Sequence, residues 1–356
     1  MGFGRYVVIR ILNALLVLVI AIFIVSLVFS HEAEMELKSK IEEQITSMLR
    51  SDPKLLRELS SNKTALREWR EQQREILYRR YGLDKPLLIR VLGRTWDQLT
   101  LNLGTSHSLT SLSGESKVST IILEALPRTI QLFTTATIIV IIIGLLLGLK
   151  AAQKVGSLLD KSLSVFAIVT YSLPMWWTGM LFIIVFAYYL NLFPAGGMMS
   201  MPPPEEPVAR FLDMLYHMIL PVFTIVFVSF GGWAYITRSV VLSQFQEDYV
   251  MVARAKGLPE RRVLYGHVLR AAAPPIVTMM TFSLLGSLGG AIISEIVFNW
   301  PGMGRLYWMA LIQNDVPVLL GNTTVSIILY LASVVLMDLI YGFLDPRVRV
   351  GAAVRV

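Results

Sequence analysis

Glu247-Asp248-Tyr249-Val250-Met251-Val252-Ala253-Arg254-Ala255-Lys256-Gly257-Leu258-Pro259-Glu260-Arg261-Arg262 stands between two apolar runs, at about 215–236 and 276–298. Residues 247–256 suit a helix, and Gly257 suits its end, because glycine tolerates positive φ at a C-cap. Leu258-Pro259-Glu260 then opens a second short helix, with proline near its first turn. The small residues Ala253 and Ala255 let another surface come close to the backbone. Tyr249, Val252, Ala253 and Lys256 fall on one side. Two readings fit: a short helix that presses into a groove on a cytosolic partner, or an amphipathic connector lying on a membrane surface.

The apolar runs on either side decide the fold class. The chain is 54% hydrophobic and 16% charged over 356 residues, against about 25% charged in a soluble domain. A membrane-crossing helix needs about 20 mainly apolar residues. Runs of that kind occur at Tyr6–Phe29, Ile121–Leu149, Leu163–Leu190, Leu215–Ile236, Ile276–Phe298 and Val318–Phe343, which predicts an all-α membrane protein of six spans. The first run follows Arg5 and carries Arg10. It is too long for a secretory signal and lacks a small-x-small cleavage site after it, so it is expected to be a permanent anchor.

Basic residues give the orientation. Lys150, Lys154 and Lys161 crowd one loop, Arg238, Arg254, Lys256, Arg261, Arg262 and Arg270 another, and Arg347, Arg349 and Arg355 the tail. The intervening loops, 191–214 and 299–317, are poor in base. Cytoplasmic loops are the basic ones, so both termini are expected in the cytoplasm. The net charge of +7 is spread between apolar runs and gathers in no block that would mark nucleic-acid binding.

This topology places residues 31–118 outside. There Ile41, Ile45, Met48 and Leu49 repeat at helical spacing, as do Leu66, Trp69, Gln73, Ile76 and Leu77, with one polar interruption at Gln73. Asp52-Pro53 reads as a helix start and Asn62 or Thr64 as a cap. The expected organisation is an anchor helix at 1–30, a mostly helical extracytoplasmic subdomain at 31–118, a transmembrane domain at 119–349 containing the loop 247–262, and a tail at 350–356.

Asp248-Tyr249-Val250 followed by Ala253-Arg254-Ala255-Lys256-Gly257-Leu258 resembles the EAA loop of ABC importer permeases, in the variant of the oligopeptide and dipeptide class. Tyr81-Gly82-Leu83-Asp84-Lys85-Pro86-Leu87, Leu103-Gly104-Thr105-Ser106, Glu124-x-Leu126-Pro127-x-Thr129, Ser172-Leu173-Pro174-Met175-Trp176-Trp177, Trp300-Pro301-Gly302-Met303-Gly304-Arg305 and Leu344-Asp345-Pro346-Arg347-Val348-Arg349 follow that class in order across 81–349. The Pro-Gly-Asp-Pro stretch common in the class after the first span is missing, and the charged segment 31–80 takes its place. Whatever that motif does is not carried over.

The resemblance implies a type I ABC importer fold and a loop that docks on an ATPase. Its coupling residues would be Asp248, Tyr249, Ala253, Arg254, Ala255, Lys256, Gly257, Leu258 and Arg261. It also implies a second homologous permease, two cytoplasmic ATPase subunits that bind ATP and magnesium, and an extracytoplasmic binding protein. Loop 150–161 would make a smaller ATPase contact or be a plain basic loop. Di- or oligopeptides are the expected cargo, with an oligosaccharide or other small solute as the alternative and a self-contained secondary transporter as a more distant one.

The remaining features are read against plainer roles. Pro174, Trp176 and Trp177 sit deep in the third run and either line a solute path or pack the bundle. Glu295 either lines that path or is an interfacial carboxylate that reaches water or caps the Trp300-Pro301-Gly302 turn. Gly144-x-x-x-Gly148 and Gly286-x-x-x-Gly290 permit close helix contact, within the chain rather than between subunits. Asn62-Lys63-Thr64 is a glycosylation sequon. The sequence has no cysteine, no metal-ligand spacing among His31, His107, His217 and His267, no phosphate-binding glycine loop and no catalytic constellation. No catalytic residue, metal or cofactor of its own is therefore expected.

Overall fold

The computed structural model describes residues 3–60 and 62–344. In chain order the helices are α1 (Phe3–Val28), α2 (Ser30–Ser51), α3 (Pro53–Ser60), α4 (Lys63–Arg80), α5 (Leu87–Leu99), α6 (Val118–Gln153), α7 (Leu158–Tyr171) and α8 (Met175–Phe182), which runs on as a π-helical turn at Ile183–Tyr189. There follow α9 (Pro207–Phe245), α10 (Asp248–Ala255), α11 (Glu260–Arg262) with a π turn at Val263–Val268, α12 (Leu269–Gly286), α13 (Ile292–Val297), α14 (Met303–Ile312) and α15 (Val316–Leu344). Among the described residues the only extended pairing is one bridge, Thr105 with Lys117.

Among the described residues five helices are long and apolar enough to cross a membrane, and α7 with α8 and its π turn make a sixth if taken as one broken span. The expected third span is therefore not a kinked rod: α7 and the helix after it meet at 98°. Pro174 explains the break, because it has no N–H to give and disfavours the helical region for Leu173. The fifth run also departs from expectation. Its helix stops at Gly290, whose φ of 63° lies in the left-handed region, and the chain restarts as the short α13. Gly286 and Gly290 thus share no helix face. The match expected for 344–349 and the tail at 350–356 lie, apart from Leu344, outside the described residues.

The chain forms two compact units. One comprises Leu123–Trp308 with the described parts of Met1–Ala14 and Ile328–Val356. In it α6 and α9 touch through glycine. A β-carbon on Gly144 would stand 2.7 Å from Trp233 Cβ, and one on Gly148 2.6 Å from the carbonyl oxygen of Ala234. These glycines serve packing within the chain, as small residues do where backbones approach closely. An aromatic row fixes α7 and α8 on α9: Phe166 stacks on Phe230 at 4.7 Å, and Phe182 on Phe223 at 5.3 Å.

The other unit is Leu15–Ile122 with Met309–Ile327. Only Phe29 interrupts the helix between α1 and α2. Ile41, Ile45 and Leu77 form the small core between α2 and α4, with Trp69 packed against it, which is the face the spacing predicts. Ile76 is the exception and is exposed. Asp52 caps α3 through the amides of Lys54 and Leu55 at 3.0 and 3.2 Å. Asn62 caps α4 through Thr64 and Ala65 at 3.0 and 3.3 Å.

The loop after α5 is held by one carboxylate. Asp315 Oδ2 accepts from Ser106 Oγ at 2.6 Å, from the amides of His107 and Ser108 at 3.0 Å each, and from Ser108 Oγ at 2.8 Å. Burial pushes the Asp315 carboxyl up, but these donors outweigh it and hold its pKa below the ordinary carboxylate value.

Candidate functional site

Helix α10 ends in a complete Schellman motif. The Leu258 amide donates to Ala253 O at 3.4 Å and the Gly257 amide to Arg254 O at 2.9 Å. Gly257 has a φ of 74°, so the glycine is required by backbone conformation, and the space beside its α-carbon is open. Pro259 then precedes α11 with an extended ψ of 141°. Arg254 closes the turn with a two-pronged pair to Glu260, at 2.8 and 3.1 Å.

The apolar side of α10 is turned into the chain itself. Val250 and Ala253 are buried in one cluster with Leu149 and Ala152 at the end of α6, Val241 of α9, Val263, Leu264 and Val268 of the π turn, and Ala272 of α12. Leu258 packs on the same cluster. Burial of side chains this size stabilises by roughly 1.5–3 kcal/mol each for valine or leucine. This corrects the expected facing of one residue: Ala253 is 4% exposed and belongs to the chain's own core, not to an outer face. Asp248, Tyr249, Met251, Val252, Ala255, Lys256, Gly257 and Arg261 are exposed. The loop therefore carries an apolar-and-basic outer surface on a helix whose inner side is fused to three long helices.

The neighbouring loop, 154–157, is organised by a residue the sequence reading did not single out. Asp160 accepts from the Gly156 amide at 2.8 Å and pairs through both oxygens with Arg238 of α9, one contact at 2.9 Å. Its side chain is 5% exposed and that of Arg238 16%. Ser157 caps α7 by accepting from the Asp160 amide. Ser157-x-x-Asp160 is a legible N-terminal signature, but the partner lies 78 residues away. Gln153, Lys154, Phe245, Arg254, Glu260, Arg261, Leu264 and Tyr265 line an open cleft of about 450 Å³.

The other candidates do not form one site. Pro174 is exposed at the break before α8, and Trp176 and Trp177 are 39% and 41% exposed. Glu295 is fully buried and lines no open surface of the chain. It accepts from Thr129 Oγ1 at 2.7 Å and from the Arg305 amide at 3.1 Å, and Thr129 in turn accepts from the Met303 amide at 2.7 Å. A carboxylate there meets the free amides at the start of α14. Of its two plainer roles, the structure shows the one that secures the turn, not the one that reaches water. Gly302 belongs to the same knot: a β-carbon there would run into Thr129 and Glu295. Among the described residues no group of three or more His, Asp or Glu side chains is placed to hold a metal ion.

Residues 141–350 match the family described as binding-protein-dependent transport system inner membrane component. The chain is 30% identical over 279 residues to the oligopeptide transport system permease protein AppB of Bacillus subtilis, covering 78% of this chain and 86% of the relative. It is 33% identical over 288 residues to the dipeptide transport system permease protein DppB of Escherichia coli K12, covering 75% and 83%. A solved structure of the MetNI methionine ABC transporter, in inward-facing form, superposes on 63% of this chain and 96% of its own with a TM-score of 0.49 and 14% identity.

Proposed function

The chain belongs to the binding-protein-dependent transport system inner membrane component family, and from that membership we propose that it is one permease subunit of an ATP-driven importer of di- or oligopeptides. It is a multi-pass membrane protein, and the basic loops support a topology with both termini in the cytoplasm. It works beside a second, homologous permease, with two ATPase subunits below and an extracytoplasmic binding protein above. ATP and magnesium are held by those ATPases. The relatives' names support the peptide cargo.

The observation that carries the coupling role is the construction of α10. Its exposed face of Tyr249, Val252, Ala255 and Lys256 meets the ATPase, with Asp248, Gly257 and Arg261 at its edges. Its inner face, Val250 and Ala253, is bonded by packing to α6, α9 and α12. A displacement imposed on α10 then moves three long helices together, because a close-packed core transmits strain rather than absorbing it. Leu258 and the Arg254–Glu260 pair keep the loop in one conformation. Loop 154–157 lies against the same machinery through Asp160 and Arg238. Trp176 and Trp177, at the break between α7 and α8, line the substrate path, and Pro174 makes that break. Glu295 keeps the turn at 300–305 in place instead.

Reconstitution in vesicles with the companion permease, the ATPases and the binding protein tests this reading. Accumulation of a labelled dipeptide that needs both ATP and the binding protein is expected. Transport by the chain alone without ATP would contradict it, and uptake of oligosaccharide but no peptide would remove the assigned cargo.

A further inference from the structure

Helix α5 is amphipathic in an unusual sense. Its inward face is Val91, Thr95 and Gln98, all buried. Its charged side carries Arg90, Arg94 and Asp97. The side that points away from the chain is apolar: Leu88, Ile89, Leu92 and Trp96 are 60%, 53%, 51% and 66% exposed. At 100° per residue these four fall within one arc of about 100°, with no polar side chain inside it. An isolated exposed leucine needs no explanation, but a contiguous apolar stripe ending in tryptophan does.

Polar contacts fix the level at which this stripe sits. Arg94 donates to the carbonyl of Ser30 at 3.4 Å, and Arg90 pairs with Glu34 at 3.0 Å. Ser30 is two residues past Val28, the last residue of the apolar stretch of α1. At the other end of α5, Gln98 accepts from Thr324 Oγ1 at 2.8 Å. Thr324 lies eight residues into the apolar stretch Val316–Ile340, about 12 Å along the helix. Helix α5 is thus held at one end beside the last residues of the apolar stretch of α1 and at the other against a residue eight positions into the stretch Val316–Ile340. Leu27 and Val28 of α1, at the same level, are also exposed, by 43% and 67%. An apolar arc at this depth, with arginine on its flank and tryptophan at its end, has the composition of a helix lying in a lipid interface.

We propose that α5 is an interfacial helix of the outer leaflet. Leu88, Ile89, Leu92 and Trp96 rest on the acyl-chain boundary and continue the lipid contact of α1. Arg90 and Arg94 tie it to α2, and the segment beginning at residue 30 is thereby anchored to the membrane surface.

The chain has no cysteine, so single cysteines can carry nitroxide labels without other changes. L88C, L92C and W96C are labelled, with D97C as the water reference and L16C as the deep reference. The full chain, with and without its companion permease, is placed in phosphatidylcholine–phosphatidylglycerol vesicles. Labels at 88, 92 and 96 are expected to collide more with oxygen than with a soluble nickel chelate, at a depth of about 5–10 Å below the headgroups. The label at 97 is expected to do the reverse. Equal nickel access at 92, 96 and 97 would overturn the proposal by placing the stripe in water. Shielding from both reagents that appears with the companion permease would overturn it in favour of a protein contact. Water access at 16 would overturn it by removing α1 from the bilayer. Two or more of the three stripe positions must agree, so one mislocalised variant does not decide the outcome.

Discussion

The loop at 247–268 and the loop at 100–117 both hang irregular backbone on long helices, by opposite chemistry. The first is held by apolar burial: Val250, Ala253 and Val263 share a core with three helices. The second is closed by its own backbone bonds and fixed at 106–108 by one carboxylate, Asp315, that gathers four donors on one oxygen. Apolar packing is non-directional and stiff, and suits an element that must pass on force. Hydrogen bonds to one charge fix a geometry but fail together when that charge is lost. The loop assigned to force transmission is part of the core of its own unit, while the loop at 100–117 is fixed within its unit by polar contacts to one charge.

The largest effect is expected at Val250, which is fully buried. Val250→Asp places an unpaired charge in the core, costing on the order of 4 kcal/mol. The chain should become protease-sensitive in membranes. Val252→Asp, one turn face away and 51% exposed, should leave the fold intact and remove only ATPase stimulation by the binding protein. Equal protease sensitivity in the two variants would refute the inner and outer faces assigned to α10.

Asp160→Ala comes next. It leaves the mostly buried Arg238 without its partner carboxylate, a loss of about 3 kcal/mol, read as a lowered midpoint of thermal unfolding. An unchanged midpoint would show that the pair is not part of the packed structure. Asp315→Ala should cost about 2 kcal/mol, because buried donors lose their acceptor, and should open 100–117 to proteolysis with little effect on 247–268.

The same clamp predicts a pH dependence. The folded pKa of Asp315 is depressed, so its contribution is complete above the ordinary carboxylate value of about 3.9 and is lost as pH falls through the lower folded value. Cleavage of 100–117 should rise only in that acid range, and Asp315→Ala should abolish the dependence. The smallest effect belongs to Gly257→Ala, about 1 kcal/mol for a left-handed position with open space around it. Thermal unfolding measures it, and a stabilised variant would contradict the required φ.

Much of this was legible in the sequence because its causes are local. Apolar runs mark the long helices, the spacing of Ile41 and Ile45 marks the face of α2, Asn62 marks a cap, and Gly257 marks the end of α10. What was not legible depends on distant partners or on local geometry with more than one outcome. Pro174 signals an interruption, but a kink and a 98° break look alike in sequence. Gly290 matches a helix-contact pattern and instead ends the helix. Ala253 is small enough for either face of α10, and only Val241 and Val263 across the core decide which. Asp160 finds Arg238, and Asp315 finds Ser106, at separations of 78 and 209 residues. Glu295 read as a candidate for a solute path because a carboxylate at membrane depth is unusual, yet Thr129 and the amide of Arg305 absorb it.

Cross-linking in the cysteine-free chain distinguishes an outer face of α10 that meets the ATPase from an inner face packed into the core. V252C, A255C and V250C carry a short photo-cross-linker in the assembled, active complex. Positions 252 and 255 are expected to cross-link to the ATPase subunit, and position 250 to cross-link only within its own chain or to resist labelling. An active complex in which 252 and 255 give no ATPase adduct, or in which 250 gives one, would contradict these two faces.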